Sequence, residues 1–174
     1  MHIVRRAMEA DFRRIYDIQN VPFRDKVFLE PLLSFDRFVN ETRERMDAGV
    51  EQFFVLESEG TVSGFIRFLK KGNGWEALTW GRWINTLAYA ASVLAFEKLG
   101  FDKLIFSVRL ENERVLRLYS KFNGRRTNME LLTYRQYEFG PIKTANLQHF
   151  ELTPEEFLER AESMRKDALK IVFE

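Results

Sequence analysis

The sequence predicts an α/β domain, a layer of strands flanked by helices, and three observations carry that expectation. Hydrophobic residues make up 45% of the 174, with 17 phenylalanines, enough for one substantial core and too many for a disordered chain. Short apolar runs with β-branched residues, such as "LIFSVRL", alternate with segments whose apolar residues recur every three or four positions. Turn signals separate them: Ser-Glu-Gly at 58–60, Lys-Lys-Gly-Asn-Gly at 70–74, and Gly100.

In chain order, "HIVRRA" reads as a first strand. "MEADFRRIYDIQN" follows with Phe12, Ile15, Tyr16 and Gln19 at helical spacing, so a helix is expected to end near Asn20. "VPFRDKVFLEPLL", with two prolines, reads as a loop or a lid over an acceptor. Ser34 is placed to cap a second helix, whose stripe is Phe35, Phe38, Val39, Thr42 and Met46 and whose stop is Gly49. "QFFVLESEGTVSGFIRFL" is a hairpin, and "WEALTW" adds a third strand to the meander. A helix is expected from Trp83 or Asn85 to Leu99, with Leu87, Ala90, Ala91 and Leu94 on one face and Gly100 as its stop. "KLIFSVR" is apolar or small on both faces, as a buried strand must be. "ENERVLRLYSKFNG" is the next helix and "MELLTYRQYEF" a final strand.

Gly140-Pro141 marks a break, giving a domain over residues 1–139 and a C-terminal extension over 140–174. In the extension, Thr153-Pro154-Glu155-Glu156 spells a capping box with proline at the first helical position. The helix it opens carries Phe157, Ala161, Met164, Ala168 and Ile171, a stripe expected to pack on the domain or on a second copy in a homodimer.

Bulk charge narrows the function classes. With 27 basic and 26 acidic residues the net charge is +1, which gives no electrostatic case for nucleic acid or an anionic membrane. No cysteine is present, so disulfides and thiolate nucleophiles are excluded. His2 and His149 lack ligand spacing, and no metal site is expected. "MHIVRRAMEADF" is charged at once, unlike a signal peptide, and "INTLAYAASVLAF" is too short to span a bilayer. A soluble, cytoplasmic protein is the expectation.

One pair of residues can carry chemistry. Asn112 and Tyr119 are seven residues apart, almost two helical turns, so they project from nearly the same side. Val115, Leu118 and Phe122 form a neighbouring apolar face. Asn112 fits a helix N-cap whose other polar atoms can meet a ligand, and Tyr119 can carry a hydroxyl into a cleft. A capping asparagine and a half-buried tyrosine would look the same in sequence.

The element order and "AFEKLGFDKLIFSVRLENERVLRLYSKFNG" resemble the GCN5-related N-acetyltransferase superfamily. Its members commonly end one helix in A-F-E-x-L-G and, after a strand, show N-x-x-A-x-x-L-Y-x-K-x-G. That pattern is met here by Ala95-Phe96-Glu97, Leu99-Gly100, Asn112, Leu118-Tyr119, Lys121 and Gly124, with Val115 for the alanine. The resemblance covers residues 2 to about 138. Within the superfamily the chain looks most like bacterial acetyltransferases acting on amino-sugars or protein N-termini.

The resemblance implies a mixed, largely antiparallel sheet in which "WEALTW" and "KLIFSVR" are parallel neighbours that splay apart, with acetyl-CoA as cosubstrate in the opening. An amine-bearing acceptor would take the acetyl group. Tyr119 matches the tyrosine that protonates the departing thiolate, and Glu76 is the candidate general base, or else a solvent-facing strand residue. Contacts to coenzyme A would come from Asn112, Thr79, Gly81, Arg82, Trp83 and Asn85. The sequence departs from the family at the pyrophosphate loop, Q/R-x-x-G-x-G/A, where "TWGRWINTLAY" keeps Gly81 but has Trp83 or Ile84 at the second glycine. Arg82 can meet a phosphate and Asn85 can cap the helix, or both are surface residues. The departure leaves open a second expectation, a pseudoenzyme of the same fold that binds another ligand or a protein, its cleft filled by Trp80 or Trp83.

Overall fold

Alternating side chains settle these strands into one eight-stranded sheet. The computed structural model describes residues 2–22, 24, 28, 30–122 and 125–174. The strands are β1 (His2–Arg6), β2 (Glu51–Ser58), β3 (Thr61–Lys71), β4 (Gly74–Gly81), β5 (Leu104–Arg109), β6 (Arg125–Arg135), β7 (Ile142–Leu152) and β8 (Ile171–Phe173). The helices are α1 (Phe12–Gln19), α2 (Phe35–Asp47), α3 (Ile84–Val93), α4 (Glu113–Phe122) and α5 (Pro154–Asp167). In space the strands run β6-β7-β5-β4-β3-β2-β1-β8. Pairing is antiparallel except for β4 with β5 and β1 with β8.

Each strand sends successive side chains to opposite faces, and two cores result. Phe54, Leu56, Ile66, Phe68, Phe106 and Phe150 pack with Leu87, Ala90 and Ala91 of α3. Phe53, Val55 and Phe65 pack on the other face with Phe12 and Ile15 of α1 and Phe38 of α2. Each fully buried phenylalanine contributes about 1.5–3 kcal/mol. A one-residue slip in β2 would exchange the two sets.

Local signals act where the sequence places them. Glu59 and Gly60 both take positive φ in the β2–β3 turn, and Gly100, at φ +66°, follows α3 and its π-helical continuation Leu94–Lys98. Thr153 Oγ1 accepts from Glu156 N–H at 3.3 Å while Glu156 Oε2 accepts from Thr153 N–H at 2.9 Å, completing the capping box. Ser34 holds the N-cap position of α2 without a side-chain cap bond.

Three expectations change. β7 is absent from the sequence reading, which ends the sheet near residue 139. It returns after Gly140-Pro141 and enters between β6 and β5, with Gln148 and His149 buried among its apolar residues. β8 is also unforeseen: α5 stops at Asp167, and Ile171 joins a strand on β1 rather than the stripe of α5. Phe157 of α5 packs on Tyr89 and Phe96. α1 begins at Phe12 rather than Met8, because Asp11 accepts from Met8 N–H and pairs with Arg5, which ends a preceding 3-10 turn. Gly124, the side chains of Lys121 and Phe122, and five residues of the expected lid (Phe23, Asp25–Val27 and Leu29) lie outside the described residues.

Candidate active site

β4 and β5 are joined at two positions, Trp75↔Leu104 and Glu76↔Ile105. Beyond them β4 keeps its partner β3 as far as Gly81, and β5 keeps β7 as far as Arg109. The two strands therefore diverge, leaving an opening in the middle of the sheet. Tyr119 of α4 stands at it. Its ring lies 4.7 Å from that of Phe106 and 5.9 Å from that of Phe150, and its hydroxyl is 3.4 Å from Thr79 Oγ1. Burial pushes the Tyr119 phenol up to about 12, with the Thr79 bond acting in the opposite sense, so at neutral pH it keeps its proton.

On the α3 face a cleft of about 720 Å³ adjoins the opening, and Gly81, Arg82, Trp83, Asn85 and Asn112 all line it. Asn112 Oδ1 accepts from Val115 N–H at 3.4 Å, the N-cap bond of α4 that its type and position suggest. Thr79 is not on the cleft wall; it is the partner of Tyr119. Asn85 is the second residue of α3 rather than its cap, a position that Trp83 holds with no side-chain bond. The first N–H groups of α3 thus lack intrahelical acceptors beside the cleft, where the helix is positive.

Trp83 has φ +66° and ψ +51°, the left-handed backbone that glycine adopts without strain. Trp83, one of the two residues considered for the second loop glycine, holds this backbone at a cost of about 1–2 kcal/mol. Arg82 lies over the indole at 4.7 Å, and Trp83, 37% exposed, lines the cleft. Trp80 donates from Nε1 to Ile18 O and packs edge-on against Phe28. Both indoles border the cleft, and about 720 Å³ of it stays unfilled. Gly81 has a packing reason of its own, since a β-carbon there would stand 2.3 Å from Gly64 Cα and 2.6 Å from Ser63 O. Asp167 and Leu169 close one side of the cleft, and Leu169 N–H donates to Thr86 Oγ1 at 2.9 Å.

On the α1 face lies a smaller pocket of about 100 Å³, reached by Glu76 and Ser107 and walled by Arg24, Arg45, Arg67, Glu30 and Glu51. Glu51 is 1% exposed and bonds Arg67; its other oxygen is 3.3 Å from Arg45 Nε. Arg67 also meets Glu30 at 2.7 Å. Glu76 accepts from Ser107 Oγ at 2.6 Å and has Lys71 Nζ at 3.4 Å. Glu76 and Tyr119 thus approach the opening from opposite faces.

The sequence reading missed the guanidinium–carboxylate wall, together with Ser107 and its partner His149. A signal existed for two of them: Ser107 is the one hydroxyl in the apolar run "LIFSVR", and His149 is one of two histidines.

No protein-family model matches the chain, and no curated protein matches it in sequence. Solved structures do match. Spermidine N-acetyltransferase from Vibrio cholerae in complex with CoA and spermine aligns with a TM-score of 0.74 at 18% identity, over 90% of this chain and 98% of that one. Mutant forms of the spermidine/spermine N-acetyltransferase SpeG of the same organism give 0.74 at 16%, over 92% and 98%. A dodecameric structure of the enzyme in an intermediate state gives 0.69 at 16%, over 91% and 97%. What is shared at such identity is the fold, a GCN5-related N-acetyltransferase-like sheet with its splayed parallel pair, as expected from sequence.

Proposed function

We propose that the protein is an N-acetyltransferase that moves an acetyl group from acetyl-CoA to a primary amine. The observation that carries this reading is a protonated phenol, Tyr119, at the divergence of β4 and β5, with a large cleft on one face and a carboxylate-bearing pocket on the other. Acetyl-CoA would bring a thioester to that divergence. Arg82 and the N-terminal amides of α3 fit its phosphates, and Asn112 fits a contact farther along the cleft. Glu76 takes a proton from the acceptor amine, whose nitrogen forms the new bond to the acetyl carbon. As the carbon–sulfur bond breaks, Tyr119 gives its proton to the thiolate.

The neighbours act on polyamines, but the pocket charge favours a different acceptor. Among the described residues, Arg24, Arg45 and Arg67 balance Glu30, Glu51 and Glu76, and two of those carboxylates are held by arginines. Little negative charge is left for a polycation, so the acceptor is a primary amine with few further charges, such as an amino-sugar.

The test is thermal unfolding with acetyl-CoA, then acetyl transfer to glucosamine and to spermine. At a hundredfold excess over Kd the ligand adds about 2.7 kcal/mol, a rise in Tm of roughly 5–10 °C for a chain this long. A flat curve at millimolar acetyl-CoA overturns the reading. It would favour the alternative, a binding module of the same fold, for which the observation is that Asp167 and Glu111 share the cleft wall with Arg82 and Arg114.

A further inference from the structure

The geometry points to a proton outlet built across four strands, Glu76–Ser107–His149–Glu130, that carries the amine's proton from the acceptor pocket to solvent. Each neighbouring strand supplies one link, in the spatial order β4, β5, β7, β6. Ser107 Oγ is 2.6 Å from Glu76 Oε1 and 2.9 Å from His149 Nδ1, and His149 Nε2 is 2.9 Å from Glu130 Oε2. Ser107 and His149 are direct cross-strand partners, so the sheet's own register aligns them. Glu76 and Ser107 line the pocket, His149 is buried, and the Glu130 side chain is 48% exposed. The chain therefore crosses three strand spacings, about 14 Å, from pocket to water.

Donor counting shows why these four groups move a proton rather than merely hold one another. With both carboxylates ionised, every contact is a hydrogen bond only if His149 carries two ring protons. Nδ1–H then donates to Ser107, Ser107 O–H to Glu76, and Nε2–H to Glu130. A second arrangement satisfies every contact equally. Protonated Glu76 donates to Ser107, Ser107 donates to Nδ1, and Nε2–H still donates to Glu130. Both hold the same number of protons, so a proton received by Glu76 reappears on His149 with no link broken, and Nε2 passes it to Glu130 and water. With one proton fewer, the single Ser107 hydrogen is shared between two acceptors. That is the form ready to receive the amine's proton.

The charged neighbours leave this route intact. Glu151, two places from His149 on the same strand, is held by Lys103 and Arg125, each at 3.2 Å. Arg109 donates to Tyr134 Oη at 2.8 Å. Lys71, the other group at Glu76, is an exposed cation with no proton vacancy while it is charged.

The source of the proton rests on the acetyl-transfer reading, so the test has an arm independent of turnover. In protein labelled with 15N-histidine there are two residues to assign, and His149→Gln identifies one. Expected are a shift of the His149 Nδ1 resonance in Glu76→Gln, a shift of Nε2 in Glu130→Gln, and loss of the response to Glu76→Gln in a Ser107→Ala background. Resonances that ignore Glu76→Gln overturn the relay whether or not acetyl transfer occurs. In turnover, with acetyl-CoA and whichever of glucosamine and spermine reacts faster, Ser107→Ala and His149→Gln each lower kcat on the order of tenfold with little change in KM. Ser107→Thr, which keeps the hydroxyl, restores it. The multi-proton solvent isotope effect falls to a single-proton one in both damaged variants. Unchanged kcat and isotope effect in both would overturn the role in turnover even where the NMR coupling is present.

Discussion

Among the described residues, the cleft on the α3 face and the pocket on the α1 face each hold equal numbers of acids and bases, yet they hold them differently. In the pocket, three arginines and three glutamates surround about 100 Å³, and Glu51, Glu30, Arg45 and Arg67 bind one another across α2, β2, β3 and the loop that precedes α2. In the cleft, Arg82, Arg114, Glu111 and Asp167 stand around about 720 Å³. The pocket has its electrostatics fixed before any ligand arrives, which suits the orientation of a small reacting group. The cleft has room, and the positive end of a helix, for a large one.

The largest expected effect tests the fixed side. Glu51→Ala leaves Arg67 and Arg45 short of their buried partner and is expected to destabilise the fold by about 3–5 kcal/mol, read by chemical denaturation. A loss below about 1 kcal/mol would mean that the pocket charges are solvated and not preorganised.

Tyr119→Phe tests the opening between the two sides. It is expected to lower kcat on the order of a hundredfold while KM for acetyl-CoA holds. The same variant has a pH signature. The folded phenol titrates at about 12 against 10.0 unfolded, so burial of the neutral form contributes fully below pH 10 and is lost as pH rises towards 12. The phenylalanine variant is expected to lack that portion of the alkaline loss in stability. Equal turnover would remove the hydroxyl from the chemistry.

The smallest effect sharpens the open side. Asp167→Asn removes a negative charge from the cleft and is expected to tighten acetyl-CoA a few-fold, about 0.3–1 kcal/mol, by calorimetric titration. Weaker binding would show that the carboxylate serves the ligand rather than opposing its phosphates.

Sequence legibility follows the same division. Asn112, Gly81, Arg82, Trp83 and Asn85 lie at a strand end, at the helix start that follows it or at the next helix cap, and the family resemblance, not spacing alone, is what assigned them to one cleft, which all five line. Glu76 and Tyr119 were named through the family resemblance and the strand–helix order that carries it, and the structure sets them on opposite faces of the sheet. The pocket wall was not, because Glu30, Glu51 and Arg67 meet only through the folding of β2 against β3 and a loop 20 residues away. β7 was hidden for a related reason. Its Gln148 and His149 interrupt the apolar alternation, and what makes them tolerable inside a sheet is bonding to the strands on either side and their side chains, which no local pattern announces. The outlet through His149 shared that fate.

Trp83 also makes the molecule its own reporter. Trp75 is stacked on Phe101 at 4.4 Å, and of the two indoles bordering the cleft Trp80 is fastened against Phe28 while Trp83 has a guanidinium over its face. A phosphate drawn to Arg82 would disturb that stacking, so ligand arrival should register in intrinsic emission, label-free, on the timescale of mixing.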